Sequence, residues 1–301
     1  MMTPTPERYD GLAATVGTFD GLHLGHHAVL DTLRREAAAR GLTPAVITFN
    51  RHPLEIIAPA RAPKLLMPLT EKTGRLSKEN VDVRTFEFTR EMMTMTARQW
   101  MTYLRDSLGV RLIVVGYDNT FGSDGRLMAP ADYKMLGDEL GVEVVEAPVV
   151  EGCSSSQARR AVAEGRMEEA TRILGRPFSM SGKVVNGDRL GRTLGFPTAN
   201  LEIAEPEHRL LPPFGVYVSR ATLPDGRELP GVTNIGVRPS VTDDRCLRIE
   251  THILDFDSDL YGSTITVSLL KMLRSERKFA GLSELKDAIA ADKEAARKYE
   301  S

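Results

Sequence analysis

The chain of 301 residues has only two cysteines, Cys153 and Cys246, far apart and without metal-ligand spacing, so neither a disulfide framework nor a thiolate metal site is expected. It also lacks any aliphatic run approaching the roughly 20 residues of a membrane-spanning helix. Runs such as 112–115 and 142–145 stop after a few residues. No cationic segment leads into an apolar stretch near the amino end, so no signal peptide is read there. Neither sign of charge dominates: 39 basic residues against 41 acidic leave a net charge of −2. That excludes a global basic field for nucleic acid, though not a local phosphate pocket. No G-x-x-x-x-G-K-[ST] string occurs, which excludes a P-loop mechanism. Internal repeats and low-complexity stretches are absent too. The expectation is a soluble cytoplasmic protein with no nucleic-acid or membrane partner. Its length favours two domains, and its oligomeric state is not encoded in any visible pattern.

The most informative stretch runs from Thr15 to Leu30. An apolar run over 12–16 predicts a buried strand that stops at Gly17, and residues 24–39 follow with helical spacing. The turn between them carries Asp20, His23 and His26, and the two histidines, three apart, share a face of the first helical turn. Amides without helical partners lie beside that face, where an anion can bind. Gly21 and Gly25 leave room for a phosphate to approach the backbone. Strand, glycine turn, paired imidazoles and helix start make a polyphosphate site; the bland alternative is two capping or surface histidines.

The first half then alternates strands (45–49, 81–88, 112–115, 142–150) with helices such as 97–108, whose Trp100, Tyr103 and Leu104 at helical spacing are assigned to the core. Alternation implies a parallel, doubly wound sheet whose ligands bind beyond the carboxyl ends of the strands. The polar clusters sit at those ends: 18–26, 50–53, 117–122 and 152–159. A helix is expected over 154–174. Arg159 and Arg160 in its first turns oppose the helix dipole by about 0.3–1 kcal/mol, a cost that a bound polyphosphate would reverse and that a solvated arginine would simply bear. After Phe178 the pattern changes to six short β-type runs, 179–185, 198–201, 216–223, 232–237, 248–256 and 264–270, which predict a small antiparallel barrel. A helix from Ser283 ends the chain. The domain boundary is placed near Phe178, giving 1–178 and 179–301.

His23-Leu24-Gly25-His26 resembles the H-x-G-H signature of the nucleotidyltransferase superfamily, and the longer Gly17-Thr18-Phe19-Asp20-Gly21-Leu22-His23-Leu24-Gly25-His26 resembles bacterial FAD synthetases. Phe49-Asn50-Arg51-His52-Pro53 is similar to that family's Phe-Asp/Glu-Pro-His-Pro loop, with Arg51 in place of the first proline. Gly116-Tyr117-Asp118-Asn119-Thr120-Phe121-Gly122 and Ser154-Ser155-Ser156-Gln157-Ala158-Arg159 resemble two further signatures of it, Ser156 standing where threonine is usual. The second half, above all Ser181-Gly182-Lys183 through Gly195-Phe196-Pro197-Thr198-Ala199-Asn200-Leu201, resembles the riboflavin kinases nearly throughout, as do Glu250-Thr251-His252 and Leu273-Arg274-Ser275-Glu276-Arg277-Lys278-Phe279.

The resemblance implies a Rossmann-like nucleotidyltransferase domain followed by a six-stranded riboflavin kinase barrel, together converting riboflavin to FMN and FMN to FAD with Mg²⁺ and ATP. It implies nucleotide or phosphate contacts from Gly17, Phe19, Asp20, Gly25, Ser155, Ser156 and Arg159, and in the barrel from Gly182, Lys183, Gly187, Gly191 and Arg192. Flavin contacts are implied for His52, Pro53, Asp118, Phe121 (stacking on the isoalloxazine) and Arg274. His23 and His26 are the expected catalytic pair of adenylyl transfer. The barrel glycines suit a loop that wraps a phosphate through its amides. Thr198 and Asn200, two apart on an extended segment, offer neutral oxygens on one side for a Mg²⁺ that keeps several waters. Glu250 is expected to be the general base toward a ribityl hydroxyl; its alternative is a strand glutamate paired with Arg248 or Arg192. Two rival functions remain at this level, a kinase with an inactive first domain and a flavin-sensing binder without turnover.

Overall fold

The computed structural model describes residues 11–117, 120–187, 196–238 and 246–300. The chain divides into two compact units, Met1–Ser155 and Ser156–Ser301.

In the first unit, five parallel strands lie in the order β3-β2-β1-β4-β5, with β1 at Leu12–Val16, β2 at Thr43–Phe49, β3 at Asp82–Phe86, β4 at Val110–Val115 and β5 at Glu143–Glu146. Helices cover both faces, so the strands read as apolar runs and not as alternation. Leu12, Ala14 and Val16 enter a core cluster with Trp100 and Met101, while Ala13 enters another with Leu30 and Leu33. Chain direction across the sheet reverses between β1 and β4, and a crevice opens beyond the carboxyl ends of strands at such a reversal. Helix α1 (Leu24–Arg40) leaves that end of β1. The expected third and fifth strands are shorter than read, because β3 and β5 are the sheet's edges and pairing runs out there. The sequence reading named none of α2 (Pro53–Ile57), α3 (Leu69–Leu76) and α4 (Arg90–Thr94), which are too short to show a period, nor the helix over 130–140. Helix α5 (Ala97–Leu108) has the limits expected, and α6 (Pro130–Leu140) precedes β5.

The helix expected over 154–174 is two, α7 (Ser155–Ala163) and α8 (Met167–Leu174), separated at Gly165, where φ is +74°. The second unit continues as a closed antiparallel barrel in the order β10-β7-β6-β11-β8-β9. Its strands are β6 (Phe178–Val185), β7 (Ala199–Ile203), β8 (Gly215–Thr222), β9 (Glu228–Arg238), β10 (Cys246–Ile253) and β11 (Thr264–Ser275). All six sequence runs became strands, and β9–β10 pairing closes the ring so that no edge is left exposed. Helix α9 (Leu282–Glu300) packs on β8 and β9, seating Ala296 among Val216, Val218 and Val232. Among the described residues, no helix is long and apolar enough to cross a membrane.

Candidate active sites

The first site is built on the turn from β1 into α1. His23 caps the helix: its Nδ1 accepts the backbone N–H of His26 at 3.4 Å. In the neutral ring that leaves the proton on Nε2, a donor. The two imidazoles are stacked, centroids 3.7 Å apart and planes 24° apart, and the His26 ring stands 5.0 Å from that of Phe19. Gly25 permits this, because a Cβ there would meet Nδ1 and Cε1 of His23 at 3.1 Å and the Cys153 carbonyl at 3.2 Å. Phe19 and Leu22 hold positive φ (49° and 42°), a strained conformation for side-chain-bearing residues that deep burial over-determines.

Several expected ligands have other duties. The Phe19 ring is buried in the core, where it packs beside the His26 ring. The N–H of Gly17 is used by the sheet, donating to the Ile47 carbonyl at 3.0 Å. The buried Asp20 carboxylate accepts the amides of Leu66 (3.0 and 3.1 Å) and Met67 (3.3 Å), fastening the turn to the segment before α3. Ser155, the first residue of α7, donates its hydroxyl to the Asp20 carbonyl at 2.8 Å. Ser156 and Arg159 follow on that helix, Arg159 one turn beyond Ser155.

His52 caps α2, its Nδ1 accepting from the Leu54 N–H at 3.2 Å while Glu55 accepts the His52 N–H at 3.3 Å, and Pro53 opens the helix. Phe121 corrects an expectation: it is buried in the core, 4.6 Å from the Tyr133 ring, whose hydroxyl accepts the Phe121 N–H and donates to its carbonyl. With the ring buried beside Tyr133, little of it is open to stacking by an isoalloxazine. Asp118 lies outside the described residues. The sequence reading missed Lys72, 9% exposed, whose ammonium donates to the carbonyls of Thr18 (3.0 Å) and Phe49 (2.9 Å) and the hydroxyl of Thr48 (3.0 Å). Its sequence signal was nil, since a lysine on an eight-residue helix reads as solvated.

The second site lies on the barrel. Glu250 on β10 is the register partner of Asn200 on β7, and Thr251 that of Ala199. A cavity of about 530 Å³ is lined by Thr198, Glu250, His252 and Arg274 from the barrel side and by Leu285 and Ile289 of α9. Another, of about 290 Å³, is lined by Pro197, Thr198, Ala199, Thr251, Asp257 and Tyr261. Thr198 belongs to both walls. Glu250 accepts from Arg248 at 3.2 Å, so the pairing weighed as the bland alternative is present; both side chains are about a quarter exposed, and such a pair contributes at most about 1 kcal/mol. Gly187 lies against the Asn200 amide, where a Cβ would stand 2.5 Å from its Cγ and Oδ1.

Gly182 and Lys183, expected as phosphate contacts, lie in the strand read over 179–185. Within β6 they are paired with Ile203 and Glu202 on one side and with Ile265 and Thr264 on the other. Their amides belong to the barrel ladder, and Lys183 is exposed on its outer face, alternating with buried Gly182 and Val184. Gly191 and Arg192 lie outside the described residues. Arg274 is engaged by Asp292 of α9 at 2.7 Å and covers the Phe279 ring at 5.4 Å, so it acts first as a wall support. His252, two residues after Glu250, carries a role that its motif does not reveal. Its Nδ1 lies 2.8 Å from the Pro197 carbonyl, which can only accept, so Nδ1 carries the proton. Burial holds its pKa below the ordinary value, against the Pro197 hydrogen bond and with help from Lys293.

Comparison with known proteins covers both units. The family profile described as FAD synthetase matches residues 5–158, and the one described as riboflavin kinase matches 174–300. The bifunctional riboflavin kinase/FMN adenylyltransferase of Pseudomonas fluorescens is 40% identical over 95% of this chain and 92% of its own length. That of Escherichia coli strain K12 is 40% identical over 96% and 93%, and that of Bacillus subtilis strain 168 is 35% identical over 94% and 91%. A Streptococcus pneumoniae crystal structure described as a macrolide-efflux protein matches with a TM-score of 0.84 at 30% identity, covering 98% of this chain and 95% of that one.

Proposed function

The chain belongs to the family of bifunctional riboflavin kinases/FMN adenylyltransferases, and on that premise we propose how its residues divide the two reactions. Residues 179–301 phosphorylate riboflavin to FMN, and residues 1–178 adenylylate FMN to FAD, each with ATP. Residues 23–26 carry the adenylyl centre, and residues 198–200 with Glu250 the kinase centre.

In the kinase step the flavin occupies the larger cavity and the ATP phosphates the smaller one, with Thr198 on the wall between them. Glu250 takes the proton of the ribityl hydroxyl as its oxygen forms a bond to the γ-phosphorus; the bond to the β-phosphate oxygen breaks and ADP leaves. The observation that carries this reading is the Glu250–Asn200 register pairing, which puts base and neutral ligand on adjacent strands beside Thr198. The donor set fits Mg²⁺: Thr198 and Asn200 offer neutral oxygens, and among the described residues no cluster of three or more His, Cys, Asp or Glu forms an all-protein cage. The ion would neutralise phosphate charge there. His252 holds the Pro197 carbonyl and so orients the segment entering Thr198.

In the adenylyl step a phosphate oxygen of FMN attacks the α-phosphorus of ATP and pyrophosphate departs. His23 and His26, with the first amides of α1, stabilise the charge that develops on the transferring phosphate. Arg159, in the first turns of α7, pairs with phosphate oxygens. His52 and Pro53 contribute through the loop they shape. Dependence on ATP and a sequence without a disulfide framework fit a cytoplasmic enzyme.

The test is chromatography of products after incubating pure protein with riboflavin, ATP and Mg²⁺. FMN and then FAD are expected, with EDTA stopping both steps. FMN without FAD overturns the adenylyl assignment, and absence of turnover overturns both.

A further inference from the structure

Lys72 is a buried cation whose hydrogen-bond partners are all neutral. Its three ammonium protons match three acceptors, the carbonyls of Thr18 and Phe49 and the Thr48 hydroxyl, at 2.9–3.0 Å. Thr48 in turn donates to the same Thr18 carbonyl at 3.3 Å. Thr18 precedes the strained Phe19 in the turn that presents His23 and His26, and Phe49 ends β2 immediately before the Asn50–Pro53 loop. One side chain from α3 therefore fastens the two loops that the adenylyl reading assigns to nucleotide and flavin. Burying an ammonium against neutral oxygens is costly, and a methionine or leucine would fill the space without that cost. The three bonds need a reason other than stability.

We propose that Lys72 is a positioning residue for adenylyl transfer, its ammonium holding the carboxyl ends of β1 and β2 so that the β1–α1 turn keeps its imidazoles in place. This inference rests on the adenylyl reading above. Its chemistry gives it a signature. Burial lowers the Lys72 pKa to about 8, against the opposing effect of Asp20. Asp20 is the charged group facing it from the turn; β2 presents only the neutral Thr48 and Phe49 atoms, and on α3 itself Glu71 is paired with Arg75. Loss of a proton leaves two donors for three acceptors. The brace is complete below that value and incomplete above it.

The experiment compares wild type, Lys72→Met and Lys72→Arg in two assays, FAD formation from supplied FMN and FMN formation from riboflavin, between pH 6.5 and 9.5. Lys72→Met should lower kcat for FAD formation at pH 7.5 at least tenfold, with KM for ATP changed less, while FMN formation stays within twofold. Wild type should lose FAD-forming kcat as pH rises through about 8. Lys72→Arg, which stays charged at every pH used, should abolish that alkaline limb. An unchanged kcat in Lys72→Met, or the same limb in Lys72→Arg, overturns the inference; should Lys72→Met not fold, the Lys72→Arg profile alone decides. Wild type making no FAD at any pH would instead overturn the adenylyl reading, so the two failures are distinguishable.

Discussion

Glu250 and Asn200 are register partners across the β10–β7 ladder, and Thr251 and Ala199 are the next pair. Side chains of directly opposed residues leave the same face of a sheet with Cβ atoms about 4.5–5.5 Å apart. A carboxylate and a carboxamide are thus held together by main-chain pairing, without depending on the flexible ends of their own side chains.

Glu250→Gln tests the general base. It keeps size and reach, so kcat for FMN formation should fall by about 10²–10⁴ with KM less affected. The Arg248 pair is partly exposed and adds at most about 1 kcal/mol, so Tm should move by only a few degrees. FAD formation from supplied FMN should continue. A lowered Tm with kcat retained would make Glu250 a structural partner of Arg248.

His26→Ala tests the imidazole pair. Loss of one preorganised donor should slow FAD formation about 10²–10³-fold, with FMN formation near wild type. Retention of FAD formation within a few-fold makes the stacked rings structural.

Gly187→Ala probes the Asn200 amide from the other side. The added Cβ would collide with Cγ and Oδ1 at 2.5 Å, turning the amide or pushing back the strand. FMN formation should drop more than tenfold, and titration with Mg²⁺ should show a weaker apparent affinity; an unchanged Mg²⁺ dependence removes Asn200 from the ion's ligands.

Arg274→Met leaves the buried Asp292 carboxylate without its bidentate partner, which should destabilise the protein by up to about 3 kcal/mol. Arg274→Met with Asp292→Leu should recover much of that in urea unfolding. Failure of the double variant to recover would mean that the arginine's other contact, with Phe279, carries its contribution.

His252 gives a pH dependence of stability. Its folded pKa lies below the ordinary histidine value of 6.5, so the unfolded chain takes up the proton first. This contribution is fully present above pH 6.5 and is lost as pH falls through the folded value. Thermal melts at pH 7.5 and 5.5 should therefore show a larger loss in wild type than in His252→Gln; equal losses would remove His252 as the source.

The alternation of strands and helices, the change of pattern at Phe178, the place of His23 and His26 at the start of a helix and the likeness to two enzyme families were legible in the sequence, because hydrophobic period and short motifs are local. Helices as short as α2 and the break at Gly165 were not, since neither leaves a period to read. Tertiary structure alone decided which chemically suitable residues were available. Asp20 and Gly17 have the chemistry of phosphate ligands, but the Asp20 carboxylate accepts the amides of Leu66 and Met67 and the Gly17 N–H donates to Ile47. Phe121 reads as a stacking face in the motif, but its ring is buried beside Tyr133. Lys72 carried no sequence signal, because its three acceptors come from residues 18, 48 and 49. A motif names the groups present, but whether a donor or acceptor is spent within the fold or left for a substrate depends on what non-local packing brings within about 3 Å of it.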